Sequence, residues 1–143
     1  MKDSARQAAR WLRQARYDLE QAQRLLEQQV YAYSAFLAEQ AAQKALKAFL
    51  ISRGRRSVMI HSVAELAREA ARFDVEFSAL IDRGRRLDRH YLTSRYPDAL
   101  PDPVIPAEAY AREDAEEAVE AARAIVGLAA GRVSGGTESA AGQ

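Results

Sequence analysis

The chain has 143 residues, a formal net charge of +1 and no cysteine. This length suits one domain that buries about two-thirds of the surface exposed by its unfolded chain, and the lack of cysteine excludes disulfides, thiolate catalysis and cysteine metal sites. With only two histidines, we expect no metal site and no cofactor. No run approaches the ~18 apolar residues of a membrane span, and the charged N-terminus does not resemble an export signal. We therefore expect a soluble, cytoplasmic protein.

Charge is unevenly distributed along the chain. Residues 40–64 contain five cations and no acid, and these cations are Lys44, Lys47, Arg53, Arg55 and Arg56. Residues 108–123 contain six acids and two arginines. Such a division predicts one surface that attracts phosphate groups and another that repels them. Alternatively, the two segments form helices whose opposite charges neutralise each other.

Two long helices are predicted first. Residues 4–27 repeat apolar side chains at helical spacing, and a turn at residues 28–30 is short enough to make the next helix antiparallel. The second helix covers residues 31–52 and ends at Gly54. Its polar side chains form one narrow stripe, which consists of Glu39, Gln40, Gln43, Lys44 and Lys47. Because the rest is apolar, we predict a central and largely buried helix.

The second half of the chain predicts three more helices. Ser62-x-x-Glu65 is a capping box that opens a short helix, just after His61, which we expect to have only a local structural role. A fourth helix with one apolar face is expected from about Val75 to Tyr91. Four prolines make residues 93–106 an extended connection. The last helix is predicted from Pro106 to Gly131.

These elements predict an all-α fold, namely an antiparallel up-and-down four-helix bundle with one additional short helix. The helical domain is expected to cover residues 1–130. Residues 131–143 lack apolar periodicity, and we expect them to form a disordered tail.

Several short motifs together resemble a HEPN domain over about residues 5–130. They are Trp11-Leu12 in the first helix, the segment QAAQKALKA at residues 40–48, His61-Ser62-Val63-x-Glu65-Leu66, Leu87-Asp88-x-x-Tyr91 and Arg95-Tyr96-Pro97-Asp98. Members commonly have Glu just before the first lysine of the central helix, where this chain has Gln43. A role for a carboxylate at that position is therefore not carried over.

The resemblance implies an α-helical domain that forms dimers through its long helices. Many members are encoded beside a minimal nucleotidyltransferase and act with it as a toxin and antitoxin pair. We expect a homodimer here for a second reason, because the central helix has too little polar surface for a lone bundle. Some members are metal-independent ribonucleases with an Arg followed, after four to six residues, by His, whereas others bind nucleotides or partner proteins only.

Arg85 and His90 fit the ribonuclease spacing. A histidine near neutral pKa can take the proton of a ribose 2′-hydroxyl, and an arginine can stabilise the charged phosphorane. On an unbroken helix Arg85 and His90 point about 140° apart, whereas Arg86 and His90 share a face. Arg86 also stands where the usual residue is Asn. In so arginine-rich a segment, an Arg at this spacing from His90 also arises by chance. If His90 is catalytic, it would act in a cleft between the two chains of a dimer.

The motif Arg95-Tyr96-Pro97-Asp98, with Tyr91 one turn before it, offers a cation for a phosphate and a ring for a base. Lys44 and Lys47 are expected to add phosphate contacts or to pack at a dimer interface. The structural interpretation is that Tyr96 packs under the bundle and Asp98 caps the segment or pairs with Arg95.

We predict a nucleotide- or RNA-binding subunit that acts with a nucleotidyltransferase. One alternative is a metal-independent endoribonuclease toxin that uses Arg85 or Arg86 with His90. A second alternative is a non-catalytic dimeric interaction module.

Overall fold

The computed structural model describes residues 2–56 and 58–141, and side chains within residues 3–56 and 58–133. Its helices are α1 Lys2–Glu27, α2 Tyr31–Ser52, α3 Val63–Ala71, α4 Ile81–Asp88, α5 His90–Thr93, α6 Pro106–Ala109 and α7 Arg112–Ala141. Two 3₁₀ turns, Val75–Leu80 and Pro97–Ala99, complete the regular structure of these ranges. The prediction of an all-α bundle is confirmed. No helix in the described ranges is long and apolar enough to cross a membrane.

Helix α2 is the buried centre of the bundle. Fifteen of its 22 residues are buried, because α1 and α7 pack along it and α3, α4 and α5 cover another side. Phe49 stacks against Phe77 with ring centroids 4.5 Å apart. One chain therefore buries α2 without help from a second copy. The argument from α2 for a homodimer is removed, and the homodimer stays a prediction based on the family resemblance.

The predicted end of α2 and start of α3 are confirmed. Gly54 follows α2 with φ of 98°, a left-handed conformation that glycine adopts without strain. Ser62 caps α3, since its Oγ accepts the backbone N–H of Glu65 at 3.1 Å. Helix α4 approaches this cap so closely that a Cβ on Gly84 would lie 2.8 Å from the backbone nitrogen of Ala64.

The prediction of one continuous helix from Val75 to Tyr91 is wrong. The segment starts as a 3₁₀ turn whose first residue follows the cap Asp74, and the α-helix ends at Asp88. After the break, the Thr93 hydroxyl donates to the carbonyl of Arg89 at 2.5 Å. Such hydroxyl bonds to the preceding turn compete with regular helix bonds.

The last helix also begins later than predicted. Tyr110 has an extended backbone (φ −94°, ψ 129°) and separates α6 from α7. Asp114 then caps α7 by accepting the backbone N–H of Ala111 at 2.8 Å. At the other end, α7 continues past Gly131 to Ala141, so the helix end predicted at Gly131 is wrong.

Two side chains just after Gly131 contribute contacts that continue α7. Val133 is buried, and Arg132 pairs with Asp74 at 2.7 Å. These contacts offset the cost of a helical glycine, about 1 kcal/mol relative to alanine. The helix covers residues 131–141 of the segment expected to be a disordered tail, while residues 142 and 143 lie outside the described ranges. A dispensable tail stays a prediction.

Candidate functional site

Arg95 lies at the centre of an aromatic cluster. The carbon of its guanidinium group is 4.2 Å from the ring centroid of Phe36, 5.0 Å from that of Tyr91 and 4.8 Å from that of Tyr96. Its Nε and Nη2 both donate to the Tyr91 carbonyl, at 3.0 and 2.7 Å. An arginine has five N–H donors, so donors remain for a ligand. The predicted pairing of a cation with an aromatic ring is present, and three rings hold it.

Tyr96 and Asp98 both face solvent. Tyr96 is 50% exposed, so the interpretation that its ring packs under the bundle is wrong. Asp98 is exposed as well, and among the described residues it forms no ion pair with Arg95. The Tyr96 ring contacts the Arg95 guanidinium, 4.8 Å from its centroid, and the exposed remainder of the ring is available to stack on a base.

A cleft of about 400 Å³ lies beside Arg95. Its walls are the start of α2, with Tyr31 and Tyr33, and the connection before α6, with Ile105. No carboxylate is among the described residues that line it. Outside the lining of the cleft, the Arg112 guanidinium lies 5.4 Å from the Tyr31 ring centroid and pairs with Glu116 at 4.0 Å. Aromatic walls with the Arg95 cation at the rim suit a base and its phosphate.

The predicted lysines lie elsewhere. Lys44 and Lys47 follow Phe36 on α2 by 8 and 11 residues, about 12 and 16 Å along the axis. Lys44 pairs with Asp18 at 2.6 Å. Lys47 is buried beneath the Trp11 ring, with Nζ 5.7 Å from its centroid. The structure therefore does not bring these lysines to Arg95, and Lys47 belongs to a second cavity.

His90 is held by a tyrosine that sequence reasoning did not single out. Its Nδ1 lies 2.7 Å from the hydroxyl of Tyr110, which is in turn 2.8 Å from Thr93 Oγ1. Burial lowers the pKa of His90, and the nearby carboxylate of Asp114 partly opposes that shift. Burial also raises the pKa of Tyr110. A neutral imidazole fixed at Nδ1 can act as a base only through Nε2.

The two arginines proposed to act with His90 are engaged in ion pairs. Arg85 pairs with Asp82 at 2.5 Å on its own helix. Arg86 pairs with Glu117 of α7 at 3.6 Å. The cations of residues 40–64 that form ion pairs in the described chain do so elsewhere, Lys44 with Asp18 and Arg55 with Glu69, so these contacts do not support mutual neutralisation of segments 40–64 and 108–123. Within the described chain, His90 and these arginines are not assembled around one phosphate position.

The polar stripe of α2 contains a buried carboxylate. Glu39 is fully buried, and its two oxygens accept hydrogen bonds from Gln40 Nε2 and Gln43 Nε2, both at 2.8 Å. Burial raises the pKa of Glu39 to about 6, although these two hydrogen bonds lower it. Gln43 Oε1 faces His61 Nδ1 at 3.3 Å.

The structure is an all-α bundle around one central helix, α2. Its polar sites lie at the connections between the helices. Residues 8–132 match the family described as the HEPN domain. The chain belongs to the HEPN domain family, and the predicted resemblance is confirmed.

Two solved structures are similar over most of the chain. TT1696 from Thermus thermophilus is 36% identical, with a TM-score of 0.81, over 87% of this chain and 97% of that one. ST0689, described as an archaeal HEPN homologue, is 29% identical, with a TM-score of 0.72, over 88% of this chain and 97% of its own. No match was found among curated proteins.

Proposed function

We propose that this HEPN protein is a nucleotide- or RNA-binding subunit that acts with a nucleotidyltransferase in a toxin–antitoxin-type pair. The observation that carries the binding function is the position of Arg95, packed among three rings at the rim of the cleft. The partner is inferred from the family resemblance alone.

The arrangement of Arg95 favours binding of a stacked base and its phosphate. Packing against Phe36 and Tyr91 fixes the guanidinium before a ligand arrives, so little side-chain entropy is lost on binding. A phosphate would accept the N–H groups that Tyr91 does not use, and a base would stack on the exposed ring of Tyr96 or Tyr33. Readout of this kind suits single-stranded RNA or a free nucleotide.

The partner is tested by asking whether a neighbouring gene encodes a minimal nucleotidyltransferase and by co-expressing this protein with that product. We expect the two proteins to co-elute, and the nucleotidyltransferase to relieve any growth arrest caused by this protein alone. Separate elution together with unrelieved growth arrest would contradict the pair and leave the ligand-binding proposal to its own test.

A second candidate is a metal-independent endoribonuclease. It is favoured by His90, whose lowered pKa and bond to Tyr110 suit a general base at neutral pH. Because Arg85 and Arg86 are paired within the chain, the active cation would come from rearrangement of Arg85 or Arg86 at a homodimer cleft.

Cleavage of RNA in EDTA tests this candidate. It predicts products that disappear in His90→Ala and decrease in Tyr110→Phe, while Arg24→Met, which breaks an exposed ion pair, cleaves normally. No cleavage by the wild-type protein would eliminate the endoribonuclease.

The non-catalytic dimeric module is the remaining candidate. It predicts neither RNA binding nor cleavage, and light scattering at micromolar concentration that gives twice the 15.9 kDa mass of one chain. A mass near that of one chain would contradict the homodimer.

A further inference from the structure

A second cavity, of about 310 Å³, lies along the C-terminal half of α2, and the ring of its lining residue His61 is 6.4 Å from the ring of Tyr91. Its lining includes three groups that can carry positive charge, Lys47, Arg56 and His61. Trp11, Ile51 and Met59 supply apolar walls. No carboxylate is among the described residues that line it, so the cavity has the electrostatic character of an anion site.

Lys47 is the unusual group in this cavity. The residue is only 6% exposed, and its Nζ, which stays accessible from the cavity, forms no hydrogen bond and no ion pair within the described chain. The carboxylate that acts on Lys47 electrostatically is Glu39, whose two oxygens already accept hydrogen bonds from Gln40 and Gln43. The contact with the Trp11 ring, at 5.7 Å, compensates a buried ammonium only partly, because cation–π contacts are worth about 0.5–2 kcal/mol.

Burial also acts on the ionisation of Lys47. It lowers the pKa of Lys47, and the charge of Lys44 lowers it further, whereas Glu39 raises it. A buried charge without a partner is costly. An anion bound in the cavity would therefore be stabilised by an ion pair with the Lys47 ammonium.

His61 is oriented so that one ring nitrogen is left for a ligand. The amide Nε2 of Gln43 donates a hydrogen bond to Glu39. The amide oxygen Oε1 therefore faces His61, and it can only accept a hydrogen bond. The proton of His61 therefore lies on Nδ1, and Nε2 is left without a protein partner in the described chain. When the imidazole is protonated, Nε2–H becomes a further donor for an anion.

We propose that this cavity binds the phosphate monoester of a nucleotide, either free or at the 5′ end of an RNA. Lys47 supplies a buried point charge, the Arg56 guanidinium can bind two oxygens at once, and His61 can donate a third bond. The indole of Trp11, 36% exposed, provides a stacking surface for the adjoining base. The volume of the cavity lies near the lower end of the range for small-molecule sites. This inference extends the proposed nucleotide binding and does not depend on Arg95.

Trp11 is the single tryptophan of the chain, and its ring also lines two neighbouring clefts that lack Lys47, so a fluorescence change is assigned to this cavity by its loss in Lys47→Met. Titration with adenosine 5′-monophosphate should change that fluorescence, whereas adenosine should bind roughly tenfold or more weakly because it lacks the charged acceptor. Short RNAs with a 5′-phosphate or a 5′-hydroxyl distinguish the two sources of the group. Equal affinity for the monophosphate and adenosine, or no response to either phosphorylated probe, would overturn the proposal.

Lys47→Met keeps most of the side-chain volume and removes the charge. It should weaken binding of the monophosphate roughly tenfold or more, while the thermal midpoint stays the same or rises because a buried ammonium is gone. Arg24→Met removes one positive charge elsewhere on α1 and should leave the titration unchanged. Unchanged affinity in Lys47→Met would overturn the proposal. Arg95→Met should retain the Trp11 response, so failure at one site is distinguished from failure at the other.

Discussion

Asp88, the last residue of α4, caps the first turn of α3 through a hydrogen bond from the backbone N–H of Val63 to its Oδ1 at 2.6 Å. Its Oδ2 also accepts the Ser62 hydroxyl at 2.7 Å and the N–H of Ala64 at 3.2 Å. A carboxylate at a helix N-terminus satisfies donors that have no partner within the helix. Part of the family-like motif at residues 87–91 is therefore explained by packing of α4 on α3.

Asp88→Ala should destabilise the protein by about 1–3 kcal/mol, because three donors at the start of α3 lose their acceptor. Urea unfolding measures the change. Asp82→Ala, on the same helix but in an exposed pair with Arg85, should stay within about 0.5 kcal/mol of wild type. Equal losses in the two variants would show that Asp88 has no special capping role.

Gly84→Ala should also destabilise, because the new Cβ would lie 2.8 Å from the backbone nitrogen of Ala64 and α4 would have to move. Gly127→Ala is the matched control. It lies inside α7 with open space around the added Cβ, so it should stabilise by about 0.5–1 kcal/mol. Calorimetry of the two variants checks the opposite signs, and a shift of the same sign in both would contradict the close approach of α4 to α3.

Local signals were enough to predict much of the bundle. The bounds of α2 follow from its apolar pattern and Gly54, and the start of α3 follows from the Ser62 capping box. The family resemblance followed from short motifs at similar positions. These features depend on neighbours in sequence, which a single chain displays directly.

Features that depend on distant residues were missed. Asp88 and Tyr110, at the two breaks, make contacts with Val63 of α3 and with His90, which are 25 and 20 residues away in sequence. The burial of Glu39 and Lys47 depends on which helices cover the polar stripe of α2. The sequence periodicity of α2 does not indicate which helices these are. The exposure of Tyr96 was likewise open until the course of residues 93–106 was known.

Glu39 predicts a specific pH dependence. Its pKa is about 6 in the folded chain and about 4.3 when unfolded, so the folded state holds the proton more tightly. Stability from this group is present below pH of about 4.3 and is lost as pH rises through about 6, by about 2 kcal/mol in total. Glu39→Gln should lack this component. Chemical unfolding at a series of pH values from acidic to neutral should show the stability of Glu39→Gln rising relative to that of wild type. Parallel curves of stability against pH would contradict the raised pKa.

Tyr96 should contribute to binding and little to stability. Because the ring is half exposed, Tyr96→Ala should cost less than the roughly 3–5 kcal/mol of a buried aromatic, while removal of the stacking surface weakens single-stranded RNA binding by about 1–3 kcal/mol. Tyr17→Ala, at 57% exposure, is the control with a similar ring elsewhere. Loss of stability without loss of RNA affinity in Tyr96→Ala would make Tyr96 part of the scaffold.

The affinity of Arg95→Met for a short single-stranded RNA, measured by fluorescence anisotropy over a range of salt concentrations, tests the central claim most directly. Methionine retains much of the packing against Phe36 and removes the charge that the proposal assigns to phosphate. We expect weaker binding and a log–log salt slope smaller by about 0.7, the value for one phosphate contact on a single strand. Unchanged affinity and slope in Arg95→Met, beside a wild-type protein that binds the RNA, would contradict the Arg95 cleft as the site.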